Sequence, residues 1–403
     1  MEYFFYKYDM KKVDFILVGG GMAGLSLAYY LSTDQRFRGK SILLIEPEEK
    51  RANDRTWAFW QRESSAFDSI LFRTWSSVRV FSSENVAFSL DMEDYTYKLL
   101  RGIDFYQFVQ KELAQNPHFQ LIRDKSVRIE DKGDAVEVTT KEKGIFTGSY
   151  VFDSSFPLEA NYPYRHYLKQ HFKGYVVDME RPVFDTKEPE MMNFAVEQLD
   201  GECTFIYILP FTETTALVEL TLFSPDLLTD ERYIRVLEEY LTNRFSGLKY
   251  QIKEEEWGVI PMSDVPAKEQ VTPRTFRIGT SGGYTHPATG YTFAFTQKRL
   301  LRLVEQIAQA NGAAFALPTS FTQRKHTFYA AVLLNVLDKK RYPSPDVFVG
   351  LFQKNRPSLV FKFLAAETTF WEEIKIMWST PILIFGKAAI AVIGRRIREK
   401  IKK

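Results

Sequence analysis

Val13-Asp14-Phe15-Ile16-Leu17-Val18-Gly19-Gly20-Gly21-Met22-Ala23-Gly24 decides how the rest of this chain is read. Residues 13–18 are a short apolar run with β-branched members, the pattern of a buried strand. Residues 25–31 have the spacing of a helix packed on that strand. A second apolar run, residues 42–45, ends at Glu46. Strand, helix and strand within this length make a β-α-β unit. In Gly19-x-Gly21-x-x-Gly24 the first glycine permits a tight turn, the second lets the backbone approach a pyrophosphate, and the third lets helix and strand pack closely. The free N–H groups of the helix N-terminus then face the phosphates. Glu46 lies at the distance expected of a ribose-binding carboxylate. The alternative is a glycine-rich turn that holds no ligand.

A second glycine-rich segment favours FAD over NAD. Ile278-Gly279-Thr280-Ser281-Gly282-Gly283 is followed by His286-Pro287-Ala288-Thr289-Gly290-Tyr291. It resembles the late strand–turn–helix motif of flavoproteins with the glutathione-reductase-type fold. In that motif an acidic residue usually holds the ribitol. Thr280 stands there instead, which leaves more of the work to backbone amides near Gly282 and Gly283, between the flanking Gly279 and Gly290. A helix from Thr289 would aim its N-terminus at the flavin and favour an anionic, reduced ring.

The remaining chain predicts short strands and one helix over 77–160, that helix running from Asp104, its N-cap, to Ala114. Strand signals dominate 172–223, with a turn at Pro210-Phe211-Thr212-Glu213-Thr214. Helical spacing covers 230–245, a strand 274–279, and mostly helix follows Thr289. With no internal repeat and no low-complexity linker, the domains are interleaved. The fold class is α/β: a Rossmann-type FAD-binding domain of the glutathione-reductase/hydroxylase-like kind (1–75, 95–160 and 270–310), a mixed β-sheet substrate domain (161–269), and a helical C-terminal region (311–403).

Bulk composition excludes more than it assigns. The chain has 403 residues with 53 basic and 51 acidic side chains, so bulk charge gives no ground for nucleic-acid binding. The 15% aromatic content, with 34 Phe, suits core and interface, and also a tunnel for a long apolar substrate. Cys203 is the single cysteine, which rules out an intrachain disulfide and fits a reducing compartment. Met1-Glu2-Tyr3-Phe4-Phe5-Tyr6-Lys7 does not read as a signal peptide.

Together with Asn53-Asp54-Arg55-Thr56-Trp57, these segments resemble the lycopene cyclases of the bacterial β-cyclase type. The resemblance also takes in Gln170-His171-Phe172-x-Gly174, the stretch from Pro210 through Val218-Glu219-Leu220-Thr221-Leu222-Phe223, and Gly258-Val259-Ile260-Pro261-Met262. It implies an isomerase that closes the open ends of lycopene into β-rings, by way of γ-carotene. It also implies FAD in its reduced form, with NAD(P)H as reductant and no net redox change in the substrate.

That reaction begins by protonating an unactivated alkene, so it needs a positioned acid, electron-rich groups beside the cation and exclusion of water. Glu219 is the first candidate acid: an apolar strand would desolvate its carboxyl and keep the proton on. From pattern alone, Leu217, Glu219 and Thr221 share one face of an alternating strand, which could equally face solvent. Glu367, in Phe363-Leu364-Ala365-Ala366-Glu367-Thr368-Thr369-Phe370, is the second candidate, with a surface or helix-terminal carboxylate as its alternative. Arg55, and with less support Arg101, could contact the FAD phosphates or ribose. His166, His171 and His286 lack metal-ligand spacing, so no metal is expected; His171 reads as a buried structural histidine and Cys203 as core.

Lycopene is insoluble, so the substrate would come from a bilayer. Residues 381–394 are strongly apolar, and residues 387–403 hold seven Lys or Arg against one Glu. The apolar part is too short to span, and an interfacial helix with a basic end at an anionic surface fits better. A core helix with a basic tail is the alternative. The expectation is a peripheral protein on the cytoplasmic side of the cell membrane. Two rival functions share the fold: an FAD monooxygenase or isoprenoid reductase, and a non-catalytic carotenoid-binding flavoprotein.

Overall fold

The computed structural model describes residues 12–155, 164–318 and 321–402; Met1 to Lys7 lie outside them. Strands Phe119–Ile122, Ile42–Ile45, Lys12–Val18, Ile145–Asp153 and Thr275–Arg277 run parallel, side by side in that order. Two antiparallel strands, Val136–Thr140 and Ser126–Asp131, branch from Ile145–Asp153. Both faces of this sheet are covered, which is why its strands read as continuous apolar runs. Phe15 and Leu17 pack with helices Met22–Thr33, Gly102–Leu113 and Phe293–Ala310, while Ile16, Val18, Leu43 and Ile45 pack with Val136 and Val138 of the antiparallel branch.

A seven-stranded sheet stands beside it. Its order is Tyr250–Ser263, Tyr167–Met179, Thr215–Ser224, Cys203–Pro210, Glu190–Asn193, Ser77–Phe81 and Ala87–Asp91. One face packs Ile206, Ile208, Val218 and Leu220 against helix Asp230–Arg244. The other packs Phe205, Leu217 and Phe223 against the C-terminal helices through Leu334, Phe348 and Phe352. Leu217, Glu219 and Thr221 therefore share a face that is buried, not solvated. A third, small sheet pairs Thr56–Gln61 and Arg73–Trp75 with Thr96–Arg101.

Two helix starts differ from the sequence expectation. The helix expected from Asp104 begins at Gly102, with Arg101 as N-cap and Asp104 in its first turn. Gly102 is needed there because a Cβ would lie 2.9 Å from the Arg55 carbonyl oxygen. The helix expected from Thr289 begins at Phe293. Residues 286–291 form a turn closed by the His286 N–H donating to the Tyr291 carbonyl, with Gly290 in the left-handed region at φ 70°. The dipole at this helix start is thus four residues further along than Thr289.

The C-terminal region folds as helices Phe321–Asp338, Ser344–Lys354, Pro357–Leu364, Phe370–Ser379 and Ile382–Lys402. The last two are bent by 116° at their junction, and among the described residues no single helix is long and apolar enough to cross a membrane.

Candidate active site

The cleft between the two large sheets gathers most of the residues singled out in the sequence. Gly21, Arg55, Gly279, Thr280 and Gly290 line it from the parallel-sheet side, and Gln170, Phe172, Glu219 and Pro261 from the other. Each glycine of the first turn does a different job. A Cβ on Gly24 would lie 2.0 Å from the Gly19 carbonyl oxygen, so helix and strand could not pack. A Cβ on Gly21 would meet no atom within 4 Å. Gly21 is also the N-cap of helix Met22–Thr33 and makes no side-chain cap. That leaves open space in front of uncapped first-turn amides, which fits the phosphates of a dinucleotide. Glu46 accepts the Gly20 N–H with one oxygen and the Glu48 N–H, at 2.9 Å, with the other, which fixes the carboxylate at the strand end. The buried Gln170 Oε1 has no hydrogen-bond partner among the described residues, and a Cβ on Gly290 would lie 1.9 Å from it. Chain, turn and cleft fit a bound dinucleotide.

Other sequence candidates have internal partners. Arg55 lines the cleft and pairs loosely with Asp54 at 3.7 Å. Arg101 is turned elsewhere: its guanidinium grips both Asp104 oxygens at 2.7 and 2.9 Å and lies over the Phe72 ring. Gly283 donates its N–H to the Thr280 carbonyl, and Gly282 packs onto the Arg277 carbonyl, where a Cβ would lie 2.2 Å away. These two glycines shape the turn, and the Gly283 amide is not free for a ribitol.

At the inner end of the cleft Glu219 is 9% exposed. Its register partners are Gly174 on one side and Tyr207 on the other. The same Gly174 is the register partner of Glu256 on the next strand, itself 8% exposed. Because Gly174 has no side chain, the two glutamate side chains face each other across it, close enough for each carboxyl to act directly on the other. Thr221 Oγ1 donates to Glu219 at 2.8 Å, and Thr56 Oγ1 donates to Glu256 at 2.9 Å. Burial, then the neighbouring Glu256, holds the Glu219 carboxyl well above the ordinary range. Burial raises Glu256 as well, opposed by its contacts with Glu219 and Thr56. Tyr207 and Tyr291 place their hydroxyls 3.4 Å apart beside Glu219, and Tyr97 completes the cluster.

Glu256 was not singled out in the sequence. It sits in the run Lys253-Glu254-Glu255-Glu256, which reads as a solvated charge patch, and only its register opposite Gly174 turns it inward. Glu367 lies apart from this pair. It is held by Arg62 and Lys298, each at 3.1 Å, and by the Tyr95 hydroxyl at 3.0 Å. It lines an adjacent cavity that shares Trp60 and Tyr291 with the wall of the apolar chamber described next. His171 is satisfied internally by Ser224 at 2.7 Å and by the Tyr233 hydroxyl, and burial lowers its pKa to about 4, so it stays neutral.

Beyond Tyr207, Thr289 and Tyr291 a second chamber opens, about 310 Å³ and almost wholly apolar. Trp60, Phe223, Phe348 and Phe363 form its walls, and Met377, Ile382 and Phe385 lie along it on the two bent C-terminal helices. Outside, those helices expose Trp371 (77%), Trp378 (73%), Leu383 (80%) and Ile390 (73%).

A largely parallel sheet with a glycine-rich first turn, a mixed seven-stranded sheet beside it and a cleft between them define a fold seen in flavoproteins. A flavoprotein/dehydrogenase of Cytophaga hutchinsonii shares it at a TM-score of 0.64, covering 95% of this chain and 99% of that one at 12% identity. Within that fold the chain belongs to the lycopene cyclase family, whose model, described as lycopene cyclase protein, matches residues 14–389. The lycopene beta cyclase of Capsicum annuum is 27% identical over 72% of this chain; the match covers 60% of the plant protein. The lycopene beta-cyclase of Pseudescherichia vulneris is 24% identical over 94% of this chain and 97% of its own length.

Proposed function

We propose that this protein is a lycopene β-cyclase that closes the linear ends of lycopene into β-rings, through γ-carotene to β-carotene. The observation that carries the reading is a buried carboxyl, Glu219, whose surroundings push its pKa up, at the junction of a dinucleotide-shaped cleft and an aromatic-walled apolar chamber. Family membership supports it. The Glu219 carboxyl gives its proton to the terminal alkene of the substrate end, leaving a tertiary carbocation. The neighbouring double bond attacks that carbon and closes the ring, which moves the positive charge into the ring. A ring proton is then lost, with the Glu219 carboxylate as the nearest base, and the substrate undergoes no net oxidation or reduction. Tyr207, Tyr291 and Trp60 offer π-faces to the cation, and the apolar wall excludes the water that would trap it.

FAD is the dinucleotide proposed, held at Gly21 and the amides of helix Met22–Thr33, with Glu46, Arg55 and Gly279 around it. Bound there and reduced by NAD(P)H, it would supply negative charge within the cleft. The exposed tryptophans and leucine of the bent helix pair support a peripheral membrane seat, proposed on the cytoplasmic face, and residues of the same helices line the apolar chamber. The test is expression in a lycopene-accumulating host: β-carotene should replace lycopene. An oxygenated or reduced carotenoid would instead indicate a redox enzyme.

A further inference from the structure

The pairing of Glu219 with Glu256 goes beyond the need for one acid. A single protonated carboxyl in an apolar strand would serve the proton transfer. Here two carboxyls are brought together by register: both lie opposite Gly174, on the strands either side of it. A Cβ at position 174 would stand 3.3 Å from Glu219 Cβ and 3.2 Å from Glu256 Cγ, wedged between them. Each carboxyl has one threonine donor, Thr221 or Thr56, so their mutual contact is left for a proton. Two like charges at this separation in a dry site cannot both persist. The surroundings differ. Among the described residues, Arg55 and Glu254 are the further charged groups that act on Glu256, and Glu256 is the only charged side chain that acts on Glu219, whose other titratable neighbours are Tyr97, Tyr207 and Tyr291.

We propose that Glu256 is a positioning residue: the two carboxyls share one proton, with the negative charge resting on Glu256 and the transferable proton on Glu219. This rests on the reading of Glu219 as the acid. Burial raises both carboxyls, but the Arg55 guanidinium acts on Glu256 while no cation acts on Glu219 among the described residues, so the charge settles on Glu256. The ionised partner then keeps Glu219 loaded at neutral pH, and the pair titrates as one unit. Thr56 gives the Asn53-Asp54-Arg55-Thr56-Trp57 segment its part: it anchors the charged member of the pair.

The sign follows. Removing the Glu256 charge removes a term that raises the Glu219 pKa, so the acid should lose its proton at lower pH. With Glu256→Gln in the flavin-loaded protein, the alkaline limb of the kcat/KM profile should move down by about one pH unit or more. Activity at pH 6 should stay within about threefold of wild type while that at pH 8 falls about tenfold or more. Glu256→Asp keeps the charge but draws it back by one methylene, so the limb should move the same way by less. A second readout does not depend on turnover. The infrared carbonyl band of a protonated carboxyl, absent in Glu219→Gln, should titrate at lower pH in Glu256→Gln. A limb and a band unmoved in both variants, or a loss uniform at every pH, would overturn the proposal. A wild-type protein that carries the titrating band yet leaves lycopene unchanged would instead strike the cyclase reading and leave the shared proton standing.

Discussion

Gly21 and Gly24 occupy the same turn, and alanine at each should separate cofactor from fold. Gly21 has ordinary helical-entry backbone, φ −76°, and open space where a Cβ would stand. Alanine there restricts the unfolded chain, worth about 0.4–1 kcal/mol, and gives back a similar amount, about 0.5–1 kcal/mol, as a poorer N-cap. The apoprotein Tm should therefore stay within about 2 °C of wild type. The added methyl, however, fills the space assigned to the pyrophosphate and pushes it off the first-turn amides. Losing one charge-assisted hydrogen bond costs about 1.5–3 kcal/mol, so the flavin Kd should rise about 10- to 150-fold. Gly24→Ala is the opposite case. Its Cβ would stand 2.0 Å from the Gly19 carbonyl oxygen, so strand and helix must part. Overpacking of this kind costs about 1–3 kcal/mol or more, and Tm should fall accordingly. Scanning calorimetry of the apoproteins and flavin titration by fluorescence quenching read both quantities. FAD bound as tightly by Gly21→Ala as by wild type would refute the placement of the phosphates. An unchanged Tm for Gly24→Ala would refute the account of the turn.

Three further outcomes follow from the same geometry. Glu367→Gln removes ion pairs with Arg62 and Lys298 that are partly exposed, worth about 1 kcal/mol or less each; turnover should stay within about tenfold, and a loss as deep as that of Glu219→Gln would bring this carboxylate into the chemistry. The pair Leu383→Glu and Ile390→Glu should weaken binding to anionic vesicles about tenfold or more, since each side chain contributes about 1.5–3 kcal/mol on burial, while leaving Tm unchanged because both are exposed. Substitution is the cleaner probe than truncation, because the same helix buries Ala388 and Val392 and ties Glu399 to Arg165; unchanged vesicle partition would argue for a helix that merely caps the core. Cyclisation should require reduced flavin without consuming NAD(P)H in proportion to product, and stoichiometric consumption would favour a reductase or monooxygenase.

The parallel sheet was legible because its strands are buried on both faces and carry no polar interruption between Val13 and Val18 beyond Asp14. The glycine spacing was legible because close approach leaves a residue no alternative. The helix boundaries at Gly102 and Phe293 were not, since each is set by a long-range contact or a turn: Gly102 against the Arg55 carbonyl, and Gly290 against Gln170. Glu219 was visible only through family resemblance, because an alternating strand does not say which face is wet. The answer lies in the helices packed on the opposite sheet face and in the cleft. Glu256 was hidden more deeply. Its strand inverts the usual pattern, exposing Trp257 and Val259 while burying an acid. Only the pairing across Gly174 explains that inversion.

The central claim is that the Glu219 carboxyl delivers the proton that starts ring closure. The direct measurement is the rate of β-ring formation from lycopene in liposomes by purified Glu219→Gln, with wild-type flavin content verified. The account predicts a loss of about 10²–10⁴-fold, with lycopene still bound and FAD retained. Ring formation near the wild-type rate would contradict it.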